Sequence, residues 1–372
     1  MGSRHGLRRA CLPFLRKPLL HCDIDTSNVL ELFPESARVE DGELTLGGVP
    51  ATRLGTEYGT PLVVYCAETV RAQARAYHEA APGALVVYGT KAFANVALLR
   101  LLAEEGVGAD VSTLGELAFA HAAGIDGERI LFHGNNKSVE ELRAAAQAGA
   151  TVVVDAPWEV DAAIEAGVRH ALVRLTPGVE AATHRSIQTA HEESKFGLSP
   201  EVATEVIVHA RDRGLEIAGL HVHIGSQLVL EPGRSLVGRA GVTLYHVGVV
   251  KESSGVVYAA IDGGMSDNPR PQLYGARYEA LLANRAGELA TGVYRIAGKH
   301  CESGDVLIEA AELPHPEPGD LIAVPATGAY TLALGSTYNG VPRPAVVLVE
   351  DGESRVIRRR EMVQELLRYE ET

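Results

Sequence analysis

Lys91 follows a short apolar run and stands where a helical stretch begins. The run is Leu85–Tyr88, and only Gly89 and Thr90 separate it from the lysine. In a parallel α/β barrel such a position is the carboxyl end of a strand, where active sites are built. A lysine desolvated there has a lowered pKa, and its amine can act as a nucleophile or form a Schiff base. The alternative is a surface lysine in a strand-to-helix loop, which position alone favours because most lysines are exposed.

Two histidines, His221 and His223, stand two residues apart in an apolar stretch. On a strand they point to the same face, so they could begin a metal site. No other Cys or His lies nearby in the sequence at a zinc-site spacing, and we therefore expect no metal. Gly225 and Ser226 follow, and a backbone amide and a hydroxyl there could bind a phosphate. For either histidine alone, the alternative is a hydrogen-bonded histidine of the protein interior.

Glu231 opens the sequence Glu-Pro-Gly-Arg, which places a carboxylate at a strand end and the Arg234 guanidinium three residues later. A carboxylate buried at the mouth of a barrel needs a positively charged partner. The protonated nitrogen of a pyridine ring would serve. The alternative is an ordinary turn with a solvated Glu–Arg pair.

Strand-like and helix-like segments alternate from about residue 60 to residue 235. The apolar runs are Leu85–Tyr88, Gly108–Ser112, Ile130–Gly134, Thr151–Asp155, Ala171–Leu175 and Gly219–Ile224. The amphipathic stretches between them are Val96–Glu105, Leu114–Ala123, Ser138–Ala148, Pro157–Ala166 and Pro200–Arg213. Such alternation is typical of parallel β-α units. No GxGxxG motif follows the first strand, so a Rossmann site is not supported, and we expect a (β/α)8-type barrel.

The pattern changes after about residue 236, where β-rich runs and Gly/Pro turns replace the helices. This predicts a second, mainly antiparallel β domain over residues 236–372. The strand-like Glu43–Val49 has the same character, so we expect residues 29–57 to join that domain. Residues 1–28 form an N-terminal extension, and residues 58–235 form the barrel.

The barrel stretch is too short, because a (β/α)8 barrel usually takes about 250 residues. The shortfall lies after His221–Gln227, which ends one strand. Glu231–Ser235 looks like the end of another, and a parallel crossover between two strands needs about a dozen residues or more. We therefore expect an incomplete barrel from which about one β-α unit is missing.

Composition and charge restrict the function further. The 372 residues are 46% hydrophobic, which is ordinary for a globular protein of about two domains. Thirty-four basic against 48 acidic residues give a net charge of −14, unsuited to a nucleic-acid backbone. The cysteines are widely spaced, which favours a reducing, cytoplasmic compartment; they are Cys11, Cys22, Cys66 and Cys301. The longest uncharged stretch, Leu321–Pro342, is broken by Gly and Pro, so no membrane span is expected.

A set of motifs in family order resembles the diaminopimelate decarboxylases, pyridoxal-phosphate enzymes of the alanine-racemase-like fold. The motifs are Tyr58–Leu62, Tyr88–Lys91, Gly108–Ser112 with Gly115–Leu117, Phe132–Ser138, Ser194–Gly197, Gly219–Gln227, Glu231–Ser235, Asp262–Met265, Arg270–Tyr274, Cys301–Ser303 and Gly328–Tyr330. Each motif alone is weak, but together they are specific and span the chain almost end to end. Together they favour Lys91 as an active-site lysine over a surface lysine in a loop.

The resemblance implies that pyridoxal 5′-phosphate is the cofactor and that Lys91 holds it covalently. His223 would stack on the pyridine ring, and Glu231 would pair with the ring nitrogen. Ser226 and Tyr330 would bind the phosphate. Gly233 and Arg234 complete the implied cofactor-binding set.

The resemblance also implies substrate-binding residues. Arg234, Arg270 and Tyr274, with Tyr330, would hold the substrate's carboxylates, and a guanidinium suits a carboxylate bidentately. Cys301 would be the catalytic proton donor, and Glu302 would bind the distal ammonium. In this family the last two residues reach across a two-fold interface, which implies a homodimer with shared sites. The alternatives are a buried structural Cys301, a surface turn at residues 270–274 and a solvated Glu302.

The implied reaction is decarboxylation of meso-2,6-diaminopimelate to L-lysine, the last step of lysine biosynthesis. One difference between this sequence and the family argues against this activity. Members of the family carry a glycine-rich, phosphate-binding strand end between the His-Ile-Gly-Ser and Glu-Pro-Gly-Arg motifs, and this chain has none. The alternative function is therefore that of an impaired or inactive truncated homologue, acting at most as a dimerisation partner.

Overall fold

The N-terminal part of the chain builds a small sheet against the larger β domain. The structure, a computed structural model, describes residues 27–176, 196–222 and 229–371. Helix α1 (Ser27–Leu30) precedes an antiparallel sheet of β1 (Arg38–Glu40), β2 (Glu43–Leu46) and β3 (Val49–Pro50), and α2 (Ala51–Tyr58) follows. Leu44 and Leu46 of β2 are fully buried in one apolar cluster with Leu62 and Val242. The segment thus joins the β domain through a shared core and keeps its own sheet.

Seven parallel strands form the barrel sheet. After β4 (Leu62–Cys66), they are β5 (Leu85–Gly89), β6 (Gly108–Val111), β7 (Ile130–Phe132), β8 (Thr151–Val154), β9 (His170–Arg174), β10 (Glu216–His221) and β11 (Val229–Leu230). The helices are α3 (Ala67–Ala80), α4 (Val96–Glu104), α5 (Leu114–Ala123), α6 (Val139–Ala148), α7 (Glu159–Ala166) and α8 (Pro200–Asp212). The strands are ordered β10-β9-β8-β7-β6-β5-β11. The predicted α/β alternation is confirmed.

Local capping explains where these helices begin and end. Asn95, Thr113, Ser138 and Ser199 each accept a hydrogen bond from a backbone N–H of the first turn. A capping box with Glu141 reinforces the Ser138 cap. Helices α5, α6 and α7 each end at a glycine in the left-handed conformation, which glycine adopts without steric cost.

The strand residues alternate between two cores. Val86 and Tyr88 of β5 pack outward with the helices, in the large cluster that also contains Leu98 and Leu102. The barrel interior is a much smaller cluster, built from Val87, Leu131, Val153 and Leu172 with the partly buried Leu85. Both faces of the sheet are covered, as expected for near-continuous apolar strands.

Among the described residues, the barrel sheet ends at β10 on one side and at β11 on the other. Strand β11 pairs with β5 in parallel through Val229 and Leu230, and β10 pairs with β9. In the part of the chain that the structure describes, β10 and β11 do not pair with each other. Leu220 of β10 is 50% exposed. The part of the chain that the structure describes has seven parallel barrel strands, where a closed barrel has eight; that a β-α unit is missing stays a prediction.

The second domain is a mostly antiparallel nine-stranded sheet. Its strands are β4 together with β12 (Gly241–Ser253), β13 (Val256–Ile261), β14 (Leu281–Leu282), β15 (Gly292–Ala297), β16 (Val306–Leu313), β17 (Leu321–Val324), β18 (Ala345–Glu350) and β19 (Glu353–Arg358). Strand β4 precedes the barrel strands in the sequence, yet it pairs with β12 and β18. The short helices α9 (Arg234–Val237) and α10 (Arg270–Tyr274) flank β12 and β13.

Two further observations concern helices. The sequence over Arg360–Tyr369 reads as a helical run, but only a 3-10 turn, Val363–Leu367, forms there. None of its residues is buried, so no apolar face packs to stabilise a longer helix. Among the described residues, no helix is both long enough and apolar enough to cross a bilayer.

Candidate active site

Lys91 lies at the mouth of the barrel, in a 3-10 turn (Thr90–Ala92) directly after β5. Its Nζ is 3.7 Å from Oδ2 of the buried Asp110, at the end of β6, and its side chain is 52% exposed. The Asp110 carboxylate raises the pKa of Lys91, and burial opposes that effect without cancelling it. The expected lowered pKa is therefore wrong, because sequence position did not reveal the neighbouring carboxylate.

Glu231 follows β11 and lies between two histidines. Its Oε1 is 3.2 Å from His133 Nε2 and 3.0 Å from His221 Nε2, and Oε2 accepts a hydrogen bond from His221 at 3.1 Å. Burial by itself raises the pKa of Glu231, but the two histidines outweigh burial and hold it well below its usual range. Glu231 is therefore ionised at neutral pH.

One cavity of about 380 Å³ brings these groups together. Its lining includes Lys91, Asp110, His133, Arg174 and Glu231. The structure thus places the two predicted residues, Lys91 and Glu231, in one site at the carboxyl ends of the strands. Asp110, His133 and Arg174 were not identified as site residues from the sequence, since each stands alone at the end of its own strand.

Two buried ion pairs support the wall of this cavity. Lys137 Nζ lies 2.9 Å from Glu159 and donates to the carbonyls of Gly134 and Val153 at 2.6 and 2.8 Å. Burial lowers the pKa of Lys137 and raises the pKa of Glu159. Asp155 is 3.5 Å from Arg174. These contacts tie the loops after β7 and β8 to α7 and β9.

Gly233 and Tyr330 meet beside Lys91. A Cβ on Gly233 would lie 2.8 Å from the Tyr330 hydroxyl, so the backbone approaches the ring closely there. The Tyr330 N–H donates to the Ala92 carbonyl at 2.9 Å, and the Arg234 guanidinium lies 5.1 Å from the Tyr330 ring centre. These contacts place Gly233, Arg234 and Tyr330 beside the turn that carries Lys91.

A second, arginine-lined cavity of about 300 Å³ adjoins this region. Arg234, Arg270, Arg277 and Tyr278 contribute to its lining. Burial lowers the pKa of Arg234, and the nearby Arg270 charge lowers it further. The Arg270 guanidinium also lies 5.5 Å from the Tyr274 ring centre. An anion is the natural ligand of such a cluster.

The remaining predicted residues lie elsewhere. Cys301 is an exposed free thiol after β15, and its backbone N–H donates to Asn339 at 3.0 Å. Glu302 is exposed beside it and accepts from the Gly304 N–H at 3.1 Å. Neither residue lines the cavity that contains Lys91. His223 and Ser226 lie outside the described residues.

The sequence and fold match known proteins. Residues 67–247 match the family described as pyridoxal-dependent decarboxylase, pyridoxal binding domain. The diaminopimelate decarboxylase of Actinosynnema pretiosum subsp. auranticum is 41% identical, over 91% of this chain and 95% of the relative. The chain belongs to the diaminopimelate decarboxylase family. The relative from Bacillus subtilis (strain 168) bears the same name and is 38% identical over 90% of this chain and 97% of its own.

Solved structures of family members have the same fold. The crystal structure of diaminopimelate decarboxylase from M. jannaschii in co-complex with L-lysine has a TM-score of 0.83 and 28% identity. The two structures match over 91% of this chain and 98% of that one. The (β/α) barrel and the sheet domain described above are therefore the architecture of the family.

The alignment with the Actinosynnema relative is longer than the aligned part of this chain. It spans 417 positions, whereas 91% of the 372 residues is about 339 residues. About 78 internal positions (417 less 339) therefore hold residues of the relative and none of this chain.

Proposed function

We propose that this chain binds pyridoxal 5′-phosphate through Lys91 and decarboxylates meso-2,6-diaminopimelate to L-lysine and carbon dioxide. The observation that carries the proposal is the convergence of Lys91 and the buried, ionised Glu231 on one cavity. An amine that can form a Schiff base and a carboxylate that can pair with a ring nitrogen are the two protein groups this chemistry needs. Membership of the decarboxylase family supports the choice of reaction.

The residues present fit this cofactor. Glu231 Oε1 is buried and makes no hydrogen bond of good geometry among the described residues, which leaves an acceptor for a protonated ring nitrogen. Tyr330 and the open backbone of Gly233 lie beside Lys91, where they would hold the phosphate end. When bound, the cofactor supplies an electron sink for the electron pair left on the substrate's Cα after the carboxylate departs.

Asp110 controls the protonation of the Lys91 amine. Lys91 is protonated at neutral pH, since the ordinary pKa of a lysine lies well above that pH and Asp110 raises it further, and only the unprotonated amine attacks a carbonyl. Asp110 Oδ2, at 3.7 Å, is placed to stabilise the charge on Nζ until that proton leaves. Glu231, held ionised by His133 and His221, favours a protonated ring nitrogen throughout.

The arginine-lined cavity would select the substrate. Arg234 and Arg270 offer two guanidinium groups for carboxylates, and Arg277 and Tyr278 extend the same surface. An amino acid without a distal carboxylate would leave the half-buried Arg270, whose Nε makes no hydrogen bond among the described residues, without an anionic partner. A substrate with carboxylates at both ends therefore fits best.

Cys301 and Glu302 would complete the site across a two-fold axis. Both are exposed and lie outside the Lys91 cavity, as expected of residues that serve a neighbouring subunit. We therefore infer a homodimer with two shared sites, in which Cys301 donates the proton to Cα and Glu302 binds the distal ammonium. Free cysteines at Cys66 and Cys301 suit the reducing cytoplasm, where we place the enzyme.

A second candidate function rests on the open barrel. Among the described residues β10 and β11 have no partner strand on their facing sides, and about 78 positions of the Actinosynnema alignment hold no residue of this chain; both support an internal deletion at Gln227–Leu230. The glycine-rich strand end that binds the phosphate would then be lost. In this case the chain is an inactive homologue that at most dimerises with an intact copy.

Release of carbon dioxide from carboxyl-labelled meso-diaminopimelate distinguishes the two functions. The purified chain with added pyridoxal phosphate should release labelled carbon dioxide in step with lysine formation, and Lys91→Met should abolish both. An absence of turnover, together with a colourless protein at saturating cofactor, would favour the inactive homologue.

A further inference from the structure

Two histidines and a glutamate from three separate strand ends converge at the base of the Lys91 cavity. His133 follows β7, His221 ends β10 and Glu231 follows β11. One ligand atom from each of the three lies within 4.8 Å of the others. The sequence did not predict this group, because His133 lies far from His221 and Glu231 in the chain.

The distances suit a tetrahedral metal ion. Zinc binds His nitrogen at about 2.0–2.1 Å and carboxylate oxygen at about 2.0–2.2 Å, so neighbouring ligand atoms of a tetrahedron stand roughly 3.3–3.5 Å apart. Glu231 Oε1 is 3.2 Å from His133 Nε2 and 3.0 Å from His221 Nε2. A movement of a few tenths of an ångström would bring these two separations into that range, and the ligand atoms of all three residues lie within 4.8 Å of one another.

The buried polar atoms at this point lack sufficient partners. His133 is 7% exposed, and its Nε2 makes no hydrogen bond among the described residues even though Glu231 Oε1 is near. Asp110 Oδ1 lies 3.5 Å from the same Nε2 and likewise lacks a hydrogen bond. Burial of a polar atom that makes no hydrogen bond costs desolvation free energy that no interaction offsets. A cation bound between His133 Nε2 and Glu231 Oε1 would satisfy both of these atoms.

Glu231 also lacks a permanent positive partner. In the described part of the chain its ion pairs are with His133 and His221 alone. The three Lys and Arg side chains of the cavity lining pair with other carboxylates: Lys91 faces Asp110, Lys137 faces Glu159 and Arg174 faces Asp155. The buried carboxylate therefore has room for one positive charge, which either a protonated ring nitrogen or a metal ion can supply.

We propose that His133, His221 and Glu231 bind one Zn²⁺-like divalent ion when the cofactor is absent, with a water molecule in the fourth position. We further propose that metal and pyridoxal phosphate exclude each other, because both require Glu231; this second part rests on the proposed function. By mass action the two ligands compete, since a protein molecule that has bound one of them is not free to bind the other. Without a glycine-rich phosphate site, this chain favours the metal more than its relatives do.

The metal site is tested on cofactor-free protein titrated with Co²⁺, a spectroscopic substitute for Zn²⁺. We expect the visible bands of tetrahedral Co²⁺ to rise to one equivalent per chain and to be displaced by Zn²⁺. His221→Asn and Glu231→Gln should each weaken Co²⁺ binding by about 100-fold or more, since even indirect support of a ligand is worth about 10- to 100-fold. His209→Asn is the matched control, because His209 is an exposed histidine paired with Asp161.

Thermal unfolding without metal shows whether each variant is folded. Folded Glu231→Gln that binds Co²⁺ as tightly as the parent protein, or bands that never appear, would overturn the metal site. If His221→Asn does not fold, Glu231→Gln still decides, since it removes a charge without changing the shape of the side chain.

A separate experiment tests whether the metal and pyridoxal phosphate exclude each other. Protein loaded with one equivalent of Zn²⁺ should take up pyridoxal phosphate, followed by visible absorbance, only after EDTA is added. Uptake by the zinc-loaded protein without release of zinc would overturn exclusion and leave the metal site standing. Protein that never takes up cofactor, even metal-free, would count against the proposed function, while the Co²⁺ titration would still decide the metal site.

Discussion

The Nζ of Lys91 lies 3.7 Å from Oδ2 of Asp110, across the carboxyl ends of two paired strands. Gly89 of β5 pairs directly with Asp110 of β6, so the parallel register itself places the carboxylate beside the lysine. The carboxylate raises the pKa of Lys91 and so holds the proton on Nζ, while the pair as a whole carries no net charge.

Asp110→Asn should move the reactivity of Lys91 to lower pH. Asp110 raises the pKa of Lys91, so its loss lowers that pKa and increases the fraction of unprotonated amine at any pH below it. Reaction of Lys91 with an amine-specific reagent, followed by mass spectrometry across a pH series, measures the midpoint. A midpoint that stays the same or rises would show that Asp110 does not hold the proton on Lys91. Asp161→Asn, at an exposed carboxylate, serves as the control.

The buried Lys137–Glu159 pair should be essential to the stability of the barrel. Lys137→Met leaves Glu159 buried without a partner, which typically costs about 3–5 kcal/mol of unfolding free energy. The double variant Lys137→Met with Glu159→Leu should lose much less than the sum of the single changes. Urea unfolding of the set measures this coupling.

The exposed pair Arg53–Glu57 is the control for that comparison, because such pairs contribute about 0–1 kcal/mol. Additive losses at Lys137 and Glu159 would contradict a coupled buried pair.

Gly233→Ala should weaken cofactor binding by displacing Tyr330. The new Cβ would lie 2.8 Å from the Tyr330 hydroxyl, so the ring must move, and such overpacking costs about 1–3 kcal/mol. Adding Tyr330→Phe should restore the melting temperature but not the affinity for pyridoxal phosphate. Gly115→Ala is a matched control, since nothing lies nearer than 3.8 Å to its Cβ position. Equal affinity in the parent and Gly233→Ala would remove Tyr330 and Gly233 from the cofactor site.

The chemistry at strand ends could be predicted from the sequence more fully than the contacts between distant segments. Lys91 and Glu231 were identified because each directly follows an apolar run, and Leu114–Ala123 was predicted with its observed bounds because Thr113 and Gly124 cap it. Pairing of Leu62–Cys66 with Ala345–Glu350 could not be predicted, since it joins segments almost 280 residues apart.

The partners of the predicted residues were missed for the same reason. Asp110, His133 and Arg174 reach the cavity from three different strands, and no local spacing reveals which strand ends become neighbours. The expected lowered pKa of Lys91 failed on this point, because the sign of the shift depends on Asp110.

Restoring a β-α segment at the open edge should raise cofactor occupancy. Counting only described residues, β10 and β11 each have an unpaired side there, and unpaired edges also promote aggregation. We expect a chain carrying the corresponding segment of the Bacillus subtilis relative between Gln227 and Val229 to bind more pyridoxal phosphate and to aggregate less. Visible absorbance per chain and size-exclusion chromatography measure the two effects. A scrambled insert of equal length is the control, and equal occupancy in both proteins would contradict a missing strand.

Borohydride reduction of the cofactor-loaded protein, followed by peptide mapping, tests most directly whether Lys91 and Glu231 form the cofactor site. We predict that the phosphopyridoxyl group is found on Lys91, and that Glu231→Gln lowers the yield without moving the label. Lys137 is the informative competitor, because it lines the same cavity and burial lowers its pKa. A label on Lys137 or Lys195, or a yield at Lys91 that is the same with and without the Glu231 carboxylate, would contradict the account.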